Sequence, residues 1–344
     1  MILMIRAVAL FSGGLDSLLA VKILQAQGIE IAALHFRTGF SYAERRRNLG
    51  QGGRDSLTSV ESLAASIDVR LEMIPVAEAY IPVVIDPRYG YGSGMNPCVD
   101  CRIFLLRQAK AWMEAHDYHF VFTGEVVGQR PKSQMPPTLK TVERESGLSG
   151  YLLRPLSAQL LPPTIPEQKG WVDRERLYDI SGRGRKCQIA LAKQFGIAEY
   201  QQPSGGCCYL IDRTYARRLE DFLAVEGRDA LTPDLAQLLA IGRHVRLPSG
   251  QKLVVGRRES ENVYLADSSV ADVCLRTVDH PGPTTLLLGT PTSEAITSAA
   301  QVTAGYSDAR DEAQVRVEVK KSEGAVEELM VKPMKREMIK KMMV

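Results

Sequence analysis

Cysteine is sparse, with 6 residues in a chain of 344. That is too few for a disulfide scaffold, and reduced cysteines at short spacing point instead to metal or sulfur chemistry. Long apolar runs are missing as well. No stretch approaches the roughly 18 apolar residues of a membrane-spanning helix, so no membrane partner is expected. The opening MILMIRAVALF has no small-residue cleavage site and leads straight into a Gly-rich turn. It therefore reads as a buried strand rather than a secretory signal, and the expected location is the cytoplasm. Neither sign of charge is in large excess: 43 Lys and Arg stand against 40 Asp and Glu, a net +3. Such a balance neither demands nor excludes a polyanionic partner, and local basic patches matter more than the sum. Internal repeats and low-complexity segments are absent. The remaining composition, 45% hydrophobic and 24% charged, is that of an ordinary globular protein long enough for about two domains.

Along the first two hundred residues, short apolar runs alternate with helical patterns. RAVALFS, EIAALHF, VRLEMIPV and YHFVFTG read as strands. The stretch after RAVALFS, the region near Ser56 to Ile67 and CRIFLLRQAKAWMEAH read as helices. Nearly continuous apolar strands separated by helices predict a parallel sheet covered on both faces, with ligands beyond the carboxyl ends of the strands. Three such ends carry notable residues: Ser12 to Ser17, His35 to Thr38 and Thr123 to Gln129. Residues 213–240 read as a helical connector. From about residue 241 the character changes to short β-like runs with turns between them, which predicts a smaller α+β C-terminal domain over 241–344.

The first of those ends is SGGLDS. Gly13 and Gly14 bring backbone N–H groups together without interference from Cβ atoms, and the helix that follows adds its free N–H groups and positive dipole end. Such a turn is an anion site or simply a tight strand-to-helix connection. It lacks the GxxxxGK[ST] lysine of a Walker loop and is not GxGxxG. S-G-G-x-D-S after a first strand resembles the pyrophosphate-binding loop of the N-type ATP pyrophosphatases. The resemblance implies a Rossmann-like fold of the adenine nucleotide alpha hydrolase (HUP) type, with ATP and Mg²⁺ as cofactors. It also implies ATP contacts at Ser12, Gly13, Gly14, Asp16 and Ser17, with Phe36 and Gly124 near the adenosine.

NPCVDC sets Cys98 and Cys101 at the start of a helix, where thiol pKa is lowered, as reactive thiolates or metal ligands. One CxxC cannot complete a tetrahedral site, and the remaining candidates are Cys207 and Cys208 in SGGCCYLID. Cys187 and Cys274 read as small buried hydrophobes. The order SGGLDS, NPCVDC, TGEVVGQRPKSQ, LLRPLS, SGRGRKCQIALAKQFGI, PSGGCCYLID resembles the tRNA thiouridine synthetases over roughly residues 5–212. In that group a cysteine of the NPCxxC segment works with a distant cysteine, one handling sulfur as a persulfide and the other releasing it. Other members hold a [4Fe–4S] cluster with three cysteines. Both alternatives stay open for Cys98, Cys101 and either Cys207 or Cys208, and Cys98, where many 2-thiouridylases have Asp, tilts the resemblance towards the cluster.

The same resemblance implies an ATP-dependent tRNA sulfurtransferase. It would adenylylate a uridine carbonyl oxygen and replace it with sulfur, with Asp16 and the cysteines as catalytic residues. Its partners would be tRNA and a sulfur donor: a desulfurase persulfide, a sulfur carrier or sulfide. Arg130 and Lys132 in GQRPKSQ, and Arg183, Arg185 and Lys186 in SGRGRKCQ, read as contacts to phosphates of ATP or RNA, or as solvated basic loops. Finally, KLVVGRRESENVYL, DHPGPTTLLLG and EAITSAAQVTAGYSDAR resemble the NFACT RNA-binding domain, with Arg257, Arg258, Glu261 and Asn262 as the matching motif residues. Cys274 and Arg276 replace the usual Trp and His there, which removes an aromatic stacking surface and leaves a guanidinium for phosphate. The rival readings are an ATP-dependent amide ligase, which does not explain the cysteines, and an Fe–S-dependent thiouracil desulfidase, which does not need the ATP loop.

Overall fold

The computed structural model describes residues 4–50, 59–201 and 207–344. Ser56 to Thr58 at the start of the expected helix, and Ser204 to Gly206 of SGGCC, lie outside the described residues. The chain divides into two compact units, Met1–Thr38 with Gly52–Cys207, and Gly39–Gln51 with Cys208–Val344.

In chain order the first half holds β1 (Arg6–Leu10), α1 (Leu15–Gln25), β2 (Glu30–Arg37), α2 (Tyr42–Asn48), α3 (Val60–Ser66), β3 (Arg70–Pro75), α4 (Ala77–Ile85) and α5 (Cys98–Ala115). β4 (Phe120–Thr123), α6 (Pro136–Glu145), β5 (Leu152–Leu153), α7 (Ile165–Gln168) and α8 (Lys186–Gln194) follow. All of these except α2 belong to the first unit. Its sheet has the order β3-β2-β1-β4-β5 and is parallel throughout. The unbroken apolar runs of the sequence are explained by burial on both faces. Ala7 and Ala9 of β1 pack with Leu18, Leu19 and Leu63 from α1 and α3. Val8 and Leu10 point the other way, towards Val99, Ile103 and Leu106 of α5, as the two-residue period of a strand requires. The strand order reverses between β1 and β4, and an α/β sheet opens a ligand crevice at such a point. The loops after these two strands carry SGGLDS and TGE.

The second unit holds α2 together with α9 (Arg213–Glu226), α10 (Pro233–Leu238), β6 (Arg243–Arg246), β7 (Lys252–Val255), α11 (Glu259–Ala266), β8 (Val273–Thr277) and β9 (Thr285–Leu288). It ends with α12 (Ser293–Tyr306), β10 (Val315–Lys321), β11 (Val326–Val331) and α13 (Arg336–Lys341). Its six strands form an antiparallel sheet of order β11-β10-β8-β9-β7-β6. One face packs on the alanine stripe of α12, with Ala295, Ala299 and Ala300 against Leu253, Leu275 and Val317. On the other face, Leu238 at the end of α10 and Leu265 of α11 cover Val254 and Leu286. The residue 213–240 stretch is helical, as its pattern implies, and α9 starts where Asp212 accepts from the Thr214 and Tyr215 N–H groups. Among the described residues no helix is long and apolar enough to cross a membrane.

Candidate functional site

SGGLDS forms the turn between β1 and α1. Gly13 sits at φ +76°, a conformation open to glycine at little cost, and its carbonyl accepts from Gln201 N–H at 3.1 Å. The Ser17 hydroxyl donates to the Gly14 carbonyl at 2.8 Å, and the Ser12 hydroxyl stands 3.4 Å from both Gly14 N and Ser17 Oγ. Asp16 lies in the first turn of α1. Burial pushes its pKa up, opposed by the charges of Arg185 and Arg130 and by the side chains of Gln129 and Gln188. Arg185 reaches within 3.7 Å of Asp16 Oδ2. Asp16 Oδ1, Gln129 Nε2 and both terminal atoms of Gln188 are nevertheless buried without a hydrogen-bond partner of ordinary geometry. Buried polar groups in this state are costly, and several converging on one carboxylate mark a place where a polar ligand would complete the structure.

Gly124 closes the crevice from β4. A Cβ there would meet the Asp16 carbonyl carbon at 2.4 Å and Ser17 N at 2.6 Å. Its role is thus to let the end of β4 lie against the loop. Phe36 is half-buried and packs on the α5 side of the sheet.

Cys98 opens α5, and the Asn96 amide donates to its sulfur at 3.1 Å. Burial, and next the charge of Cys207, push the Cys98 thiol up. Burial pushes Cys101 up to about 12. This reverses the expectation that the helix N-terminus lowers these thiols: desolvation of a thiolate outweighs the dipole. Cys207 is exposed and electrostatically coupled to Cys98 and Cys101. Cys208 falls in the second unit, half-buried beside Tyr209. Among the described residues no group of three or more His, Cys, Asp or Glu is arranged to hold a metal ion, and nothing in the structure supports the [4Fe–4S] ligand set of Cys98, Cys101 and Cys207 or Cys208. Cys187 is exposed rather than buried, because it occupies the outer face of α8 while Gln188 takes the inner one. Cys274 packs on the core as expected. One consequence is testable. Iodoacetamide at pH 8 is expected to modify the exposed Cys187 and Cys207 faster than Cys101 by at least about tenfold, read by peptide mass spectrometry.

A chain of ion pairs adjoins the cysteines of α5. Arg102, one helical turn beyond Cys98, holds Glu125 Oε1 at 3.0 Å. Glu125 Oε2 meets Arg154 at 3.1 Å, and Arg154 reaches Glu143 at 3.2 Å. Burial lowers the Arg102 pKa, but Glu125 and the neighbouring sulfurs more than restore it. Glu125 and Arg154 lie inside the segments TGEVVGQRPKSQ and LLRPLS, but sequence reasoning singled out none of Arg102, Glu125, Arg154 and Glu143. Gln188 was equally missed, although it left a trace: it falls in register with Leu191 and Ala192 on the buried face of α8, a polar residue in an apolar stripe.

Of the basic residues, Arg130 and Arg185 face Asp16. Lys132 donates to the Tyr91 carbonyl at 2.6 Å, and Arg183 and Lys186 are exposed. In the second unit, Arg257 is tied to Glu261 at 2.8 Å, Asn262 Oδ1 accepts from Thr284 N–H at 3.0 Å, and Arg258 is exposed at the N-cap of α11. Glu261 and Asn262 therefore hold the turn in place.

Residues 5–165 match the family model described as the tRNA methyl transferase HUP domain, and residues 242–343 that of the NFACT protein RNA binding domain. The tRNA-specific 2-thiouridylase MnmA of Symbiobacterium thermophilum is 26% identical over 287 residues, 77% of this chain and 68% of that protein. Its namesake from Nitratidesulfovibrio vulgaris is 31% identical over 142 residues, 39% of this chain and 38% of that protein. The chain thus spans about two thirds of the first relative's length and well under half of the second's. Among solved structures, a 4-thiouridine synthetase–RNA complex with bound ATP is 18% identical, covers 56% of this chain and 50% of its own, and superposes with a TM-score of 0.33.

Proposed function

We propose that the chain is a PP-loop tRNA thiouridylase-like protein with an NFACT RNA-binding-like domain in its C-terminal part, and that it acts as an ATP-dependent tRNA sulfurtransferase. The observation that carries this reading is that a single unit holds both a glycine loop beside the buried carboxylate of Asp16, whose Oδ1 has no hydrogen-bond partner, and the cysteines Cys98 and Cys101 in the first turn of α5, within electrostatic reach of Cys207.

ATP binds as a substrate at the crevice, its pyrophosphate on Ser12, Gly13, Gly14 and Ser17, with Arg130 and Arg185 balancing negative charge. Asp16 Oδ1 is the hard oxygen suited to a Mg²⁺ on those phosphates, and the ion would offset charge on the departing pyrophosphate. The uridine carbonyl oxygen attacks the α-phosphorus, and pyrophosphate leaves along the loop amides. The resulting adenylate turns a poor leaving group into AMP. A sulfur delivered as a cysteine persulfide or as hydrosulfide then attacks the activated carbon, and the C–O bond to AMP breaks. With a persulfide, a second cysteine attacks the carrier sulfur, and a disulfide forms as the transferred sulfur is released to the carbon.

The test is a thiolation assay on unmodified tRNA with ATP and sulfide or a persulfide donor. Thiouridine and AMP are expected in equal amounts, Asp16→Asn is expected to lose at least about a hundredfold in AMP release, and Cys101→Ser to abolish thiolation. No AMP with any tRNA sinks the reading, and full thiolation by Cys101→Ser removes that cysteine from it.

A further inference from the structure

Three stretches of the second unit, GRRESEN, the strand ending near Arg276 and the PGPT turn, converge on one cleft of about 350 Å³. One wall is the exposed side of α11, with Glu259, Asn262 and Val263, continued by Asp267 just past its end. Arg276 of β8 and Thr284 complete the lining. The volume falls at the low end of small-ligand sites, about 300–1,000 Å³, which suits one nucleotide and not a duplex.

The lining chemistry is directional. Asn262 accepts Thr284 N–H on its oxygen, and its NH2 group adds two donors to the lining. The backbone holds it there: a Cβ on Gly256 would lie 2.0 Å from that oxygen. Glu259 and Asp267 are exposed carboxylates, eight positions and so about 12 Å apart along the helix direction. They are acceptors at either end of the wall. Between them Val263, 52% exposed, offers an apolar surface, and the exposed Arg276 supplies the cation. Two carboxylates repel a bare phosphate run, yet they accept well from amino groups, and unpaired RNA bases are read on such edges.

We propose that this cleft binds a single unpaired RNA nucleotide whose base carries an exocyclic amine, that is, A, C or G rather than U. The amine donates to Glu259 or Asp267, the base plane lies on Val263, and Arg276 takes the phosphate. The inference rests on the RNA-substrate half of the proposed function and is independent of the sulfur chemistry.

The experiment is fluorescence anisotropy of labelled oligo(A), oligo(C) and oligo(U) with the full chain at one fixed salt concentration, since phosphate contacts are salt-dependent. Oligo(A) and oligo(C) are expected to bind more tightly than oligo(U). Arg276→Ala is expected to weaken all three about tenfold, and Val263→Glu to weaken them similarly, with unchanged melting curves. The double variant Glu259→Gln, Asp267→Asn is expected to bind oligo(U) more tightly while losing the preference for oligo(A) and oligo(C), which a purely electrostatic patch does not do. Equal binding of oligo(U) by the wild type, or wild-type binding by Arg276→Ala and Val263→Glu, overturns the proposal. If the wild type binds tRNA and only the variants fail to differ, the cleft alone falls. If it binds no RNA at all, the RNA half of the proposed function falls with it.

Discussion

Replacing Gly124 by alanine is expected to lower ATP-dependent AMP release by about a hundredfold while leaving RNA binding by the C-terminal unit intact. The added Cβ would stand 2.4, 2.5 and 2.6 Å from the carbonyl carbon and oxygen of Asp16 and the nitrogen of Ser17. All three are backbone atoms at the start of α1, and no rotamer change relieves the overlap. Either β4 retreats from β1, to which it is paired through Leu10 and Thr123, or the loop and the first turn of α1 shift by the better part of an ångström. The second costs less, because the loop has few hydrogen bonds and the strands have many. A displacement of that size at a reacting group is enough for roughly a hundredfold loss of rate. Asp16 and Ser17 would move together, so nucleotide affinity is expected to fall too. Single-turnover AMP formation at saturating ATP separates the two effects. A variant with wild-type AMP release would show that the loop's position does not matter to the chemistry.

Gly124 also shows what could and could not be read from the chain. The parallel sheet was legible because β1, β2 and β4 are unbroken apolar runs, buried on both faces. The strand-to-helix turn was legible because two adjacent glycines separate an apolar run from a helical one, while the preference for an anion there came from the resemblance. The reason for Gly124 was not, since it depends on two loops 108 positions apart in sequence meeting at the point where the strand order reverses. The same holds for Arg102, Glu125 and Arg154: two of them fall in the segments TGEVVGQRPKSQ and LLRPLS, yet only the packing of α5 against the end of β4 makes the three a chain. The thiols illustrate a local rule overridden by context. A helix N-terminus favours a thiolate, but burial at Cys101 dominates. In the second unit Arg257, Glu261 and Asn262 were legible only as motif residues, and the structure adds the Arg257–Glu261 ion pair and the Asn262–Thr284 hydrogen bond that hold the turn before α11.

The ion-pair chain leads to the second large effect. Glu125→Gln is expected to destabilise the N-terminal unit by about 3–5 kcal/mol, the usual cost of removing one partner from a buried charge network. The carboxylate, 2% exposed, lies between the guanidiniums of Arg102 and Arg154. Without it, Arg102 loses its buried partner and Arg154, 3% exposed, is left with the Glu143 carboxylate. Burial by itself pushes the Glu125 pKa up, but Arg102 and Arg154 outweigh it, so the folded value lies below the ordinary 4.5. The sign of the pH effect follows. A depressed carboxylate contributes stability that is fully present above its unfolded pKa and is lost as pH falls through the folded one. Wild-type stability is therefore expected to decline below about pH 4.5 with a component that Glu125→Gln lacks. Both tryptophans, Trp112 and Trp171, lie in this unit, so urea unfolding followed by tryptophan fluorescence reports on it. Replacing all three residues with apolar ones, Arg102→Met, Glu125→Leu and Arg154→Met, is expected to recover much of the lost stability, as apolar substitutes for buried ion networks do. Thiolation is expected to stay low in that triple variant, because Arg102 is the fixed positive charge that acts on Cys98, Cys101 and Cys207 together. Recovery of stability without recovery of sulfur transfer separates the structural role of the chain from its electrostatic one. Recovery of both would assign the network to packing alone.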